Sequence, residues 1–414
     1  MSSRHTDVGA GISEVESTYA WLRLTASFLI GTIGSVGMWS VVVALPAVQA
    51  EFGVDRGDAS LPYTVTLLSV ALGSVMMGRL VDRYGIVYPV IGGALALGLG
   101  YIGTSQATNL WQFVLLHGLV LGFFGCSVAF APLIADISHW FIRRRGIAVA
   151  ICASGSYMAG TIWPPIVQHL IETVGWRQAH VIIGIVCVAT MIPLSFALRR
   201  PSPRQELSAA AIAAAGAQSR LGISSNALLA LLVIAGVSCC VAMSMPQVHI
   251  VAYCGDLGYG AARGAEMLSL MLGFGVISRL ISGWIADKIG GLGTVLLGSS
   301  LQALALVLYV PFDGLPSLYM ISALFGLFQG GIVPSYAIVI REFFPPSVAG
   351  SRVGTVLMST MVGMALGGWL SGVLYDATGS YQAAFVNGIL WNLLNVAIIA
   401  WLLVRKRALQ PAAA

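Results

Sequence analysis

Twelve stretches of this 414-residue chain are continuously apolar over about the length that crosses a bilayer, and nothing else in the sequence constrains the fold as strongly. They lie near 23–50, 61–80, 88–107, 110–137, 146–171, 176–198, 226–253, 264–284, 293–311, 317–341, 352–375 and 382–404. A helical span needs roughly 20 apolar residues. In lipid every backbone N–H and C=O must be satisfied by protein, so only a helix bundle or a closed barrel can span. Barrel strands alternate apolar and polar residues with period two, and these runs do not. The expectation is an all-α membrane protein with twelve transmembrane helices. The chain is 57% hydrophobic and 9% charged, against about 25% charged in a soluble domain.

The opening stretch MSSRHTDVGAGISEVESTYA is polar and has no apolar core. It does not read as a cleavable signal, so the first span does the targeting. Orientation follows Lys and Arg. With the N-terminus cytoplasmic, seventeen basic residues fall on the inner side, among them Arg4, Arg23, Arg204 and Arg220. Only Arg56, Arg177 and Arg263 fall on the outer side, and Arg279 is the last of the 21. Both termini are therefore expected in the cytoplasm, with the chain in a cell inner membrane. The basic residues are dispersed among short loops, which argues against nucleic-acid binding. The six cysteines fall in or at the ends of spans without a C-x-x-C pair, so neither a disulfide framework nor a metal site is indicated. No cofactor-binding motif appears.

The chain repeats itself. GRLVDRYG (78–85) recurs as GWIADKIG (283–290), offset by 205, and TVGWRQA (173–179) is echoed by ATGSYQA (377–383), offset by 204. Each pair falls at the same place in its half, which implies duplication of a six-helix unit with parallel topology. The longest polar interruption, RRPSPRQELSAAAIAAAGAQSR (199–220), separates the halves. The expected organisation is a tail at 1–22, a six-helix bundle at 23–199, a linker at 200–225, a second bundle at 226–405 and a tail at 406–414. Gly78 and Gly283 are expected to let helices approach closely. Small residues spaced four apart (Gly118 and Gly122, Gly326 and Gly330, Gly363 and Gly367, Gly368 and Gly372) read as helix-packing devices.

Gly78, Leu80, Asp82, Arg83 and Gly85 match the Gly-x-Leu-x-Asp-Arg-x-Gly loop signature of the major facilitator superfamily, which the whole chain after residue 20 resembles. The resemblance implies the major facilitator fold and alternating access. It also implies a gating motif comprising Gly78, Arg79, Asp82, Arg83 and Gly85 with its weaker copy Gly283, Asp287, Lys288 and Gly290. Asp82 would bond a neighbouring helix end when the inner gate is shut.

Arg279 is a permanent cation inside the apolar run GFGVISRLISGWIADKIG (273–290). Its counterpart in the first repeat, 205 residues earlier, is Ser74, so the shared scaffold does not require the charge. A guanidinium in the membrane costs at least ~2.5–3.5 kcal/mol on insertion scales. The spans offer few carboxylates to face it: Asp136 lies near Arg143 to Arg145 in sequence, and Glu172, Asp256, Glu266 and Asp376 sit at outer ends. An anionic substrate, held bidentately, is its natural partner.

The segment HWFIRRRGIAVAICASGSYMAG (139–160) resembles the helix-five signature of monocarboxylate transporters, and an Arg in helix eight is typical of that branch and of oxalate–formate exchangers. The resemblance assigns Arg279 to the substrate carboxylate. Two features depart from it. Position 275 is Gly where many of these transporters have Asp, and helix one has no Lys. Exchange, or another proton carrier, gains ground over lactate-type symport.

His117 and His249 are the other titratable groups of interest in the spans. His249 follows Pro246 and Gln247, where proline is expected to open the backbone. Trp39, Phe124, Tyr157, Phe274 and Phe328 lie at the depth of a central cavity. The candidate substrate site is thus Arg279, His249, Gln247 and these five aromatics. Two solute classes remain: a small organic anion (monocarboxylate or aromatic acid), or a planar heterocycle such as riboflavin. A coupled proton or a counter-substrate would accompany it, in a symporter or an antiporter. No metal constellation, nucleotide loop or nucleophile–base arrangement supports an enzyme, and a channel fits the duplicated design less well.

Overall fold

A computed structural model describes residues 16–141, 143–200 and 221–409. Most of the N-terminal tail, residues 201–220 of the linker and residues 410–414 lie outside these, as do Arg4, Arg204 and Arg220 from the charge asymmetry. Every element among the described residues is helical. Among the described residues, ten helices are long and apolar enough to cross a membrane: α1 (Thr18–Phe52), α2 (Arg56–Tyr84), α3 (Val87–Ser105), α4 (Leu110–Trp140), α5 (Gly146–Leu198), α6 (Ser225–Asp256), α7 (Ala261–Leu308), α8 (Leu315–Phe343), α9 (Val348–Thr378) and α10 (Tyr381–Leu409).

Two of the ten are each two legs joined at a glycine outside the helical region. Gly175 breaks α5 at φ 79 and Gly290 breaks α7 at φ 76. Six legs then come from α1 to α5 and six from α6 to α10, matching the twelve expected spans. The breaks fall in the repeated motifs. Gly85 and Gly290 close the first pair at φ 79 and 76, and Gly175 and Gly379 sit in the second pair at φ 79 and 68. Glycine reaches this left-handed region without the steric penalty of a Cβ. Each repeated motif therefore keeps a glycine at positive φ, although in the second pair ψ differs, 158 at Gly175 and 11 at Gly379.

The chain divides into two compact units, Met1–Gly53 with Val65–Glu206 and Val54–Thr64 with Leu207–Ala414. The short segment Val54–Thr64, which precedes the bulk of α2, groups with the second unit, which the repeat boundary alone does not indicate.

In the first unit, α4 packs Gly118 on Val65 and Gly122 on the Thr66 carbonyl of α2. In the second, α8 packs Gly326 on the Met271 carbonyl and Gly330 on Gly275 of α7, while α9 packs Gly363 and Gly367 on Val237 and Val241 of α6. These glycines do bring helices together. Gly122 and Gly326, 204 residues apart, make the same contact, so the duplication extends to tertiary packing. Gly78 and Gly283 do not behave this way. A Cβ at either would meet nothing within 4 Å, so the expected close approach there is corrected: both lie on open helix faces.

Asp136 is also corrected. Its partner is Arg23, whose Nε and Nη2 each donate to the carboxylate at 2.8 Å. Arg23 Nη1 donates to the carbonyls of Leu198 and Arg200, and the guanidinium lies 4.7 Å over Trp140. One buried cation thus ties the start of α1 to the ends of α4 and α5. All six cysteines are buried thiols.

Candidate substrate site

Arg279 is half-buried on the first leg of α7. Asp287 is eight residues further along, about 12 Å at 1.5 Å per residue, too far for direct contact. A cavity of about 230 Å³ adjoins this leg, lined by Ser278, Ile281, Ser282 and Ile285, the second leg of α7 from Thr294 to Leu301, and Leu327, Phe328 and Ile332 of α8. Its walls are almost wholly apolar. Successive helical residues rotate by about 100°, so Arg279 points about a quarter-turn away from the face carrying Ser278, Ser282 and Ile285. Phe328 lines the cavity; the guanidinium is not among its walls. Phe274, also half-buried, is not either. The Ser278 hydroxyl accepts from the Gly331 N–H at 3.1 Å, which holds α8, interrupted at Gly330 and Gly331, against α7.

On α6, Gln247 is 1% exposed, and neither amide atom finds a hydrogen-bond partner among the described residues. An unmet buried amide costs about 1–3 kcal/mol, so such a group calls for an explanation. The helix runs unbroken through Pro246, contrary to the expected opening. His249 is fully engaged. Its Nε2 is 2.8 Å from the Gly368 carbonyl and its Nδ1 is 3.1 Å from the Tyr381 hydroxyl. Both ring nitrogens are taken by protein in this structure, which leaves His249 no bond to offer a solute.

The Tyr381 hydroxyl leads to a cluster that the sequence did not single out. Arg56 Nη1 donates to Tyr381 at 2.8 Å and to Asp256 at 2.7 Å, and Nη2 reaches the same carboxylate at 3.2 Å. The guanidinium lies 4.4 Å over the Tyr375 ring. Asp376 accepts from the backbone N–H groups of Arg56 and Gly57 at 2.9 and 2.7 Å. The sequence placed Arg56, Asp256 and Asp376 on one side of the membrane; their convergence depends on where Val54–Thr64 packs.

In the first unit, Trp39 is buried and donates from Nε1 to the Ser156 carbonyl at 3.1 Å, next to buried Tyr157. Phe124 is 46% exposed. It continues the exposed stripe Trp111, Leu115, Leu119 on α4, across a stretch wound as a π-helix (Leu116–Gly125). Phe124 thus belongs to an exposed apolar stripe rather than to the packed interior of its unit. His117 is buried and meets Thr66 through Nδ1 at 2.9 Å. It shares an aromatic cluster with Phe113, Tyr101 and a second buried histidine, His180, which the sequence reading missed.

Both copies of the loop motif are exposed. Arg79, Asp82, Arg83 and Gly85 are exposed, as are Gly283, Asp287 and Lys288. Arg83 stacks on Tyr84 and Lys288 on Trp284, at 5.2 and 3.7 Å. Among the described residues, neither Asp82 nor Asp287 has a hydrogen-bond or ion-pair partner, so the helix-end bond expected of Asp82 is not made in this structure.

The sequence profile of the Major Facilitator Superfamily matches residues 27–317 and 292–414. The MFS-type transporter opdF of Penicillium oxalicum is 27% identical over 372 residues, spanning 87% of this chain and 84% of that protein. Monocarboxylate transporter 13 of Bos taurus is 26% identical over 385 residues, 89% of this chain and 85% of the relative. Monocarboxylate transporter 11 of Homo sapiens is 27% identical over 385 residues, with shares of 89% and 79%. Among solved structures, a bacterial homologue of the human lysosomal transporter Spinster, inward-facing and unoccupied, superposes with a TM-score of 0.72 at 14% identity, covering 96% of this chain and 100% of that one. At that identity the likeness speaks to fold alone.

Proposed function

This chain belongs to the major facilitator superfamily, and from that premise we propose that it moves a small organic anion, a monocarboxylate or an aromatic acid, across a cell inner membrane by alternating access with both termini in the cytoplasm. Arg279 binds the anionic group. The observation that carries this is the asymmetry between the repeats: Ser74 and Arg279 occupy equivalent, half-buried places in a duplicated scaffold, and only one is a guanidinium. Ser74 serves packing, donating to the Ser127 carbonyl at 3.3 Å. The guanidinium carries an insertion cost that the equivalent serine does not. The monocarboxylate transporters among the relatives support the same solute class. Asp82 and its loop act as the gate. A coupled proton or a counter-substrate drives the cycle.

One observation keeps a second solute class in play. The buried amide of Gln247 offers a donor and an acceptor side by side. That pair suits the lactam edge of a planar heterocycle such as riboflavin as well as it suits a carboxyl group.

The test is a thermal-shift screen of carboxylates, aromatic acids and vitamins on the purified protein, repeated on Arg279→Ala. The anion reading expects a carboxylate that stabilises wild type and not the variant. A neutral heterocycle that stabilises both would replace it with the second class.

A further inference from the structure

The two units treat equivalent carboxylates differently. In the first, Glu51 is neutralised from within its own repeat: Arg177 bonds it through Nε and Nη2 at 3.0 and 2.5 Å, and Trp176 donates to it as well. The residue equivalent to Glu51, 205 positions on, is Asp256, and the residue equivalent to Arg177, 204 positions on, is Tyr381. Tyr381 brings no charge. Asp256 takes its cation instead from Arg56, on the Val54–Thr64 segment.

The hydrogen-bond directions in this cluster are fixed by chemistry. Arg56 can only donate, and it donates to Tyr381. The Gly368 carbonyl can only accept, so His249 Nε2 carries a hydrogen. In the neutral ring Nδ1 is then a bare lone pair, and the single Tyr381 O–H points at it. The chain runs one way: Arg56 to Tyr381, Tyr381 to His249, His249 to Gly368. A proton on Nδ1 reverses the middle link. Tyr381 would then face two donors and lose the acceptor for its own hydrogen.

We propose that His249 is a proton-binding site whose occupancy unfastens the Arg56 clamp and releases Val54–Thr64 from the second unit. His249 faces Tyr381 on α10, whose ring packs on Tyr375 of α9 and Tyr253 of α6, and it feels Arg56 on the segment, Asp376 on α9 and Asp256 on its own helix. Asp256 is held by a guanidinium and Asp376 by two backbone N–H groups. Of this set, histidine is the side chain whose charge ordinarily changes between pH 5 and 8. The clamped arrangement has no place for the extra proton, and the released one exposes the ring to water. Proton uptake and release of the segment are therefore linked, and the clamp weakens as pH falls. The inference holds whichever solute is carried and does not depend on Arg279. It supplies a proton carrier in a chain that has Gly275 and a lysine-free first helix.

The experiment is hydrogen–deuterium exchange of the amides of residues 55–61 in the purified full-length protein, at pH 7.5 and 5.5, corrected for intrinsic exchange. A solvated histidine titrates near about 6.5, so protection of the wild-type segment should fall about tenfold over this interval. Tyr381→Phe, which keeps the ring and removes the link, should flatten that dependence, as should His249→Gln. Wild-type protection that is equal at both pH values overturns the proposal. So does a tenfold fall that persists in either variant, because the titrating group would then lie elsewhere. If Tyr381→Phe fails to fold, the wild type and His249→Gln decide the matter.

Discussion

Arg23 and Asp136, 113 residues apart in sequence, form a two-pronged ion pair at 2.8 Å with side chains 1% and 5% exposed. Removing one member of such a pair leaves the other charged and buried, which costs about 3–5 kcal/mol. Asp136→Ala should therefore lower the thermal midpoint of the purified protein sharply, and Asp136→Asn, which keeps an acceptor, should do so less. Equal midpoints for wild type and Asp136→Ala would show that the pair carries no net stability.

The glycines divide into two groups with opposite expectations. A Cβ on Gly326 would run into the Met271 carbonyl, and backbone cannot swing aside as a side chain can. Gly326→Ala should cost at least the ~1–3 kcal/mol of ordinary overpacking. Gly78→Ala and Gly283→Ala meet open space and should leave the melting curve nearly unchanged. Monodisperse yield and thermal midpoint of the three variants in detergent would separate the groups. Indifference at Gly326 would mean that α7 and α8 part readily.

Spans were legible because apolarity and length are local properties, and the repeated turns were legible because only glycine suits them. Facing was not. Phe124 lies at cavity depth, but depth says nothing of azimuth, and the π-helical stretch of α4 changes the register on which a helical wheel depends. Asp136 was grouped with Arg143 to Arg145 by proximity in sequence, whereas its partner came from another helix. The Arg56 cluster needed four elements brought together, a fact held in no single motif. Arg279 and Gln247 stood out in sequence because a charge or an amide in an apolar run is conspicuous on its own.

With cytoplasmic termini, the linker at position 220 lies inside the cell. A cysteine placed there should resist an impermeant thiol reagent added to intact cells and react once the membrane is opened. The six native thiols are buried, which keeps the background low. Labelling in intact cells would invert the topology derived from the basic asymmetry.

Asp82 is exposed and unpartnered among the described residues. If it bonds a helix end in only one stage of the cycle, Asp82→Asn should slow flux in proteoliposomes severalfold and leave equilibrium binding of the solute within about twofold. A large loss of affinity with unchanged turnover would move Asp82 from the gate to the binding site.

Arg279 offers the sharpest comparison, because lysine preserves its charge and not its shape. A guanidinium presents a planar fork that matches a carboxylate through two parallel bonds, and an ammonium is a compact point charge. Losing a charge-assisted contact in a desolvated site costs roughly 2–5 kcal/mol, and every 1.4 kcal/mol is about tenfold in affinity. Arg279→Ala should therefore weaken binding of a carboxylate found in the screen by at least about tenfold, and Arg279→Lys should be impaired as well. Ser74→Ala, at the equivalent place in the first repeat, should leave affinity unchanged, since its hydroxyl bonds a backbone carbonyl. Calorimetric titration of the three folded variants reads this directly. Full affinity in Arg279→Ala would assign the cation to holding α7 in place and would leave Gln247 as the polar group that meets the solute.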